Sequence, residues 1–301
     1  MKNPLVTIIM NCYNGEKYLD ESLKSIINQS YKNWELIFWD NVSTDDSKKI
    51  FDKYKDKRFN YFLAKEHTVL YEARNLAIKK ANGDFIAFLD TDDLWLNNKL
   101  AEQIKLFSNK NVGLVYGNYW RYNSKRFFKK KKLASKLKLP SGKITSILLD
   151  KYFIGMLTVV IRKEYLNLNK DTFNVKFDLL SDMDFILRFS KNYEFACLQE
   201  PVAISRQHQN QLQNKNLTKQ AIQMGKWYEE IKLSKEFGDE NKLINLKNRC
   251  NFFKILSYIN EKQYLRSVKE IVLHPNFLEK IKLIIILLLP KQLFIKIINL
   301  R

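Results

Sequence analysis

Three carboxylates within four residues, Asp90, Asp92 and Asp93, follow an uninterrupted apolar run at residues 85–89. Like charges this close repel one another unless something positive joins them. A hard divalent cation bound through oxygen, Mg²⁺ or Mn²⁺, resolves the repulsion. Mg²⁺ in particular takes one or two carboxylates and completes its shell with substrate phosphates. A solvated acidic turn capping the next helix is the alternative, but acidic turns seldom follow directly on a strand apolar enough to be buried on both faces. A further carboxylate, Asp40, closes the β-rich run 35–39 and can accept hydrogen bonds from a nucleobase or a ribose. Arg74, followed by Asn75, lies in a helical pattern before the acidic run. Its guanidinium suits a bidentate contact with a diphosphate beside the cation, although a lone arginine on a helix is more often solvated. Asp182 and Asp184 open a later helix. A carboxylate there either satisfies the helix N-terminus or takes a proton from an acceptor hydroxyl as a general base. His208, one of three histidines, reads either as an extra ligand or as a surface imidazole.

Holding these groups together requires a scaffold, and the first 118 residues alternate between two hydrophobic periods. Strands are expected at 5–10, 35–39, 59–63, 85–89 and 112–116. Helices are expected between them. One presents Leu19, Leu23, Ile26 and Ile27, and one is capped by Ser43 and carries Ile50, Phe51 and Tyr54. A third covers residues 69–80, and the last is capped by Asn97 and presents Leu100, Ile104 and Phe107. Such alternation predicts an α/β fold with a mostly parallel, doubly wound sheet. Ligands bind such sheets outside the carboxyl ends of the strands, so Asp40 and Asp90 should share one rim.

Residues 119–216 are less regular, with a basic tract at 125–132, a strand at 158–161 and a helix after Ser181. From Leu217 the chain reads as helical, in three stripes, the last stopped by His274-Pro275. Residues 283–289 are the most apolar stretch, too short for a bilayer span of about 20 residues. With Lys280, Lys282, Lys291, Lys296 and Arg301 around it, this segment either lies in a membrane interface or docks on the protein's own core. The expected division is an α/β domain over 1–216, with halves 1–118 and 119–216, and a basic helical extension over 217–301.

The net charge of +20 is unevenly placed: residues 1–118 carry 17 Lys/Arg against 16 Asp/Glu, the rest 35 against 16. The excess implies an anionic partner, such as phospholipid head groups, an acidic glycan or nucleic acid, unless it is only a Lys- and Asn-rich composition. Nucleic acid fits poorly, because carboxylates on the binding rim would repel phosphate. An apolar content of 46% excludes a disordered chain. No GxGxxG follows the first strand, which argues against a Rossmann dehydrogenase. Three scattered cysteines without a CxxC pair support neither zinc nor redox chemistry and point to a reducing, cytoplasmic setting. The first apolar run is too short for a signal peptide and reads as a strand.

Five motifs in order now carry a resemblance. Residues 4–9 (PLVTII) with Tyr13-Asn14, residues 40–45 (DNVSTD), Ala73-Arg74-Asn75 with the run 82–93, Ser181-Asp182 with Asp184 and Arg188, and Arg206 with His208 follow one another as in the family 2 glycosyltransferases, which this chain resembles over residues 4–213. The resemblance implies a GT-A fold and metal-dependent, inverting transfer of a hexosyl or N-acetylhexosaminyl group from a UDP-linked donor. It also implies a glycan acceptor in cell-surface glycan synthesis, and the basic tract at Lys129–Lys132 with the terminal helix suggests a cytoplasmic enzyme, peripheral on the inner face of the plasma membrane, acting on a lipid-linked or anionic glycan. By position, Asp40 would bind the base and ribose of the donor, Arg74 would support its diphosphate and His208 would lie near its phosphates. Tyr13, Asn14, Asn75 and Arg206 would also bind the donor. Asp90 and Asp92 would form the DxD, with Asp92 or Asp93 reaching the metal, and Asp182 would be the base. Asn41 and Val42 replace the family's Asp-Gly, so the loop after Asp40 must turn without glycine. Ser181 replaces a glutamate. A nucleotidyltransferase of similar fold is the competing enzyme, and a nucleic-acid-binding protein the competing class.

Overall fold

The computed structural model describes residues 3–123, 130–166, 172–208 and 217–289, which group into two units: residues 1–145 with 153–207, and 146–152 with 208–301. In the first unit β1 (Val6–Cys12), β2 (Trp34–Asp40), β3 (Phe59–Leu63) and β4 (Phe85–Phe88) run parallel in the order β3-β2-β1-β4. β1 and β4 are buried at every residue, as a central strand covered on both faces must be. α1 (Glu16–Ile27) buries Leu19, Leu23 and Ile26 on the sheet, and α2 (Ser47–Phe51), α3 (Leu70–Ile78) and α4 (Lys99–Lys105) make the other crossovers. The expected doubly wound α/β fold is present.

Beyond β4 the strand directions change. β5 (Leu94–Trp95), β6 (Val112–Asn123), β7 (Lys130–Leu133), β8 (Val160–Arg162) and β9 (Glu194–Gln207) continue the sheet in the order β4-β8-β6-β9-β5, with β7 on β6. β8 is antiparallel to both β4 and β6, and β5 is antiparallel to β9. The long β6–β9 pair is parallel, so most paired residues in the sheet still run in parallel register. β9 is absent from the sequence expectation because Pro201 and Glu200 interrupt its apolar pattern. The register passes from Gly117–Leu198 to Asn118–Pro201, a bulge that accommodates the proline.

Two expected helix caps are corrected. α2 starts at Ser47 after Asp46, and Ser43 lies in the preceding turn, its N–H donating to Asp40 Oδ1 at 2.7 Å. α4 starts at Lys99, while Asn97 donates through Nδ2 to the Asn28 carbonyl. In both cases the polar side chain or amide is used by a neighbouring loop before the helix begins.

The second unit contains α7 (Leu217–Ser234), α8 (Ile244–Asn260), α9 (Tyr264–Leu273) and α10 (Phe277–Leu288), with a core including Phe252, Ile255, Leu256, Ile271, Leu283 and Ile286. Most of α5 (Thr145–Asp150) belongs to it as well, and α6 (Ser181–Ser190) to the first unit. Among the described residues no helix is long and apolar enough to cross a membrane. Most of the basic tract, residues 124–129, lies outside the described residues; β7 carries exposed Lys131 and Lys132 on a sheet edge.

Candidate active site

Asp40 is the last residue of β2, paired with Cys12 at the end of β1. Leu89 bonds to Ile9 on the other side of β1, so Asp40 and Asp90 stand on one rim with a single strand between them, about 10 Å by strand spacing. Gly15 closes the gap from above: a Cβ on it would come within 2.9 Å of the Thr91 hydroxyl, so only glycine lets the first loop lie against the acidic turn.

On the β2 side of the rim the carboxylate and its loops are held by hydrogen bonds. Asp40, 1% exposed, accepts from Ser43 N–H and from the Tyr61 hydroxyl, each at 2.7 Å. Burial and this carboxylate push the Tyr61 phenol up, so Tyr61 stays a donor. Asn41 donates to the Thr68 carbonyl and accepts from Thr68 N–H, tying the loops after β2 and β3 together. The turn without glycine is achieved by Val42 at φ 65°, a conformation a β-branched residue rarely adopts. Asn14, at φ 52°, accepts from Thr44 N–H at 2.8 Å and so joins the loop after β1 to the loop after β2. Tyr13 is half exposed, and its ring lies 4.1 Å from that of His67, which is anchored by the Asn41 carbonyl. Sequence reasoning passed over His67 and Tyr61. Both follow from the rim rule, because the end of β3 and its loop lie beside the end of β2.

The β4 side is crowded with charge. Arg74, buried on α3, reaches Asp90 Oδ1 through Nη2 at 2.5 Å. One turn earlier Tyr71 donates to Asp182 at the start of α6. Asp182 is half-buried, and burial raises its pKa; the Met183 N–H, Arg74 and Tyr71 oppose that rise. Asp184 is instead buried in an ion pair with Arg188 at 2.8 Å. The two acidic residues at the start of the helix thus face different partners, and only Asp182 joins the Arg74 cluster.

Asp93 is turned inward. Its Oδ1 accepts from Arg206 N–H at 2.9 Å, and burial with Asp92 and Asp90 beside it pushes its carboxyl well up. Ser22 braces the same turn, its hydroxyl lying 2.7 Å from the carbonyls of both Thr91 and Asp93 and sharing its one proton between them. Arg206 holds β9 to α1 through Glu21 and the Tyr18 ring, 4.9 Å away. Asn75 is occupied too: its side chain donates to the Phe173 carbonyl and accepts from Phe173 N–H, at 2.8 and 2.9 Å. Arg206 and Asn75 thus brace the segments around the rim. His208 belongs to the second unit.

Among the described residues no three His, Cys, Asp or Glu side chains form a ready-made metal cage. Asp92 is half-buried beside the inward-turned Asp93.

A parallel β3-β2-β1-β4 sheet with carboxylates on its rim, extended by antiparallel strands, is the GT-A arrangement. Two solved structures share it. The Staphylococcus aureus TarS complex with UDP aligns with a TM-score of 0.61 and 20% identity, over 81% of this chain and 71% of that one. The mannosyltransferase PcManGT of Pyrobaculum calidifontis, in complex with GDP-Man and Mn²⁺, aligns at 0.59 and 18%, over 76% and 65%. Residues 7–168 match the family described as Glycosyl transferase family 2, and the chain belongs to that family. It is similar to the UDP-Glc:alpha-D-GlcNAc-diphosphoundecaprenol beta-1,3-glucosyltransferase WfgD of Escherichia coli, at 36% identity over 56% of this chain; the match spans 64% of that relative's length.

Proposed function

We propose that the protein transfers a hexosyl or N-acetylhexosaminyl group from a UDP-linked donor to a hydroxyl of a lipid-linked glycan, with inversion at the anomeric carbon. The observation that carries this reading is the Arg74–Asp90–Tyr71–Asp182 cluster, one strand away from the hydrogen-bonded Asp40. Asp40 accepts hydrogen bonds from the donor's base or ribose, beside the open Tyr13–His67 pair. Arg74 neutralises the diphosphate, and its burial strengthens that contact. Asp182 removes the proton of the acceptor hydroxyl as its oxygen attacks the anomeric carbon. The bond from that carbon to the diphosphate oxygen breaks, and its electron pair leaves with the nucleoside diphosphate. Asp92, supported by Asp93, would hold a Mg²⁺ or Mn²⁺ ion, which supplies further neutralisation of the departing charge. Similarity to WfgD and TarS supports a UDP donor, and WfgD's named acceptor supports a lipid carrier in cell-surface glycan synthesis. Such an acceptor puts the enzyme on the cytoplasmic face of a membrane, with no role for nucleic acid.

A panel of nucleotide-sugars tests this. Nucleoside diphosphate release is expected with UDP-glucose or UDP-N-acetylglucosamine, abolished by EDTA and restored by Mn²⁺ or Mg²⁺. The product's anomeric coupling in NMR should be opposite to the donor's. Release of pyrophosphate from UTP and a sugar 1-phosphate, with no diphosphate from any nucleotide-sugar, would establish the nucleotidyltransferase instead.

A further inference from the structure

Two consecutive helices of the second unit turn their most apolar side chains outward. On α9 the exposed residues Leu265, Val268 and Val272 recur at helical spacing, while Ser267 and Ile271 face the core. α10 repeats the pattern with Leu278, Ile281, Ile285 and Leu288 outward and Leu283 and Ile286 inward. Leu265 is 91% exposed, Leu278 75% and Leu288 77%, too much apolar surface on neighbouring elements for scattered surface residues. An open apolar groove along α10, lined by Leu278, Ile281, Lys282, Ile285 and Ile286, belongs to the same face.

The charges around this surface indicate what covers it. Glu270 is engaged by Lys254 at 2.6 Å and Glu279 by Lys282 at 3.8 Å. Arg266, Lys269 and Lys280 are the other charged groups of the two helices, all cationic. A second copy of the chain would set these cations against one another across an apolar contact, which is costly. An anionic bilayer surface accepts both features, because aliphatic side chains enter the acyl boundary while lysines and arginines meet the head groups.

We propose that the outward stripes of α9 and α10 form the membrane-docking face of this protein, lying in the interface of an anionic bilayer. The inference stands on exposure and charge, and does not depend on the glycosyltransfer reading.

Co-flotation of the full chain with phosphatidylcholine vesicles, with and without phosphatidylglycerol, tests it in the absence of donor and acceptor. Binding should require phosphatidylglycerol and weaken with salt. The triple variant Leu265→Ser/Leu278→Ser/Ile285→Ser should bind at least about tenfold more weakly, because three aliphatic side chains no longer leave water. Its circular dichroism and diphosphate release should be unchanged, since all three residues are exposed and outside the site. Unaltered binding by this variant, binding equal on neutral vesicles, or no binding at all would overturn the proposal. So would a dimer that the triple variant dissociates while lipid is ignored. Loss of binding in Lys131→Gln/Lys132→Gln with retention in the triple variant would move the contact to β7 and overturn it equally.

Discussion

The two sides of the carboxyl rim solve opposite problems. Around Asp40 the carboxylate's own contacts are matched: two donors fix it, Asn41 and Asn14 tie three loops together, and an exposed part of the surface is the Tyr13–His67 pair. Around Asp90 the carboxylates of Asp92 and Asp93 crowd the same turn, Asp90 and Asp182 face one buried guanidinium, and burial raises the pKa of Asp93 and Asp182. A matched, rigid surface suits recognition of a neutral ring. A desolvated surface with unbalanced charge suits groups whose charge changes during a reaction. In the proposed function recognition falls to the first side and chemistry to the second.

The comparison is broken most directly at Asp182. Asp182→Asn should lower kcat roughly a thousandfold while leaving nucleoside diphosphate affinity intact, checked by turnover and calorimetry. Its pH dependence sharpens the point. Folded Asp182 holds its proton more tightly than the unfolded chain does, so stability falls as pH rises from the ordinary carboxyl pKa through the raised one. Asp182→Asn should flatten that fall in urea titrations across the window. The acid limb of the rate profile should also lie above the usual carboxylate range. Tyr71→Phe, which removes a hydrogen bond favouring the carboxylate, should move it higher still.

On the matched side the effect should be smaller and of another kind. Asp40→Asn should raise KM for the donor about tenfold, the order expected for replacing a charge-assisted hydrogen bond by a neutral one, with little change in kcat. A comparable loss in kcat would erase the division of labour. The smallest effect is expected at Val42, where Val42→Gly relieves the left-handed backbone. It should raise stability by about 0.5–1 kcal/mol, read as a higher urea midpoint at unchanged slope.

Much of the rim was legible in advance because it depends on local order. The strands ending at Asp40 and near Asp90 announce themselves as apolar runs, and the carboxyl-end rule places both residues on one edge before any coordinates are known. β5 and β9 were not legible, since a two-residue strand has no period and Pro201 breaks that of the longer one. Asn75 and Arg206 were assigned to the donor by their motifs. Their partners, Phe173 and the Asp93–Glu21–Tyr18 group, come from segments about 100 residues or more away, and no local pattern reports them.

Residue order alone thus fixes which groups are charged, which runs are buried and how the first four strands alternate with helices, because these depend on neighbours a few positions apart. The choice of Asp182 over Asp184 for the Arg74 cluster depends on the fold. So do the inward turn of Asp93, the pairing of Tyr13 with His67 and the outward stripes of α9 and α10. Each follows from which distant segment folds against which, and desolvation and hydrogen bonding take effect only once those segments are packed.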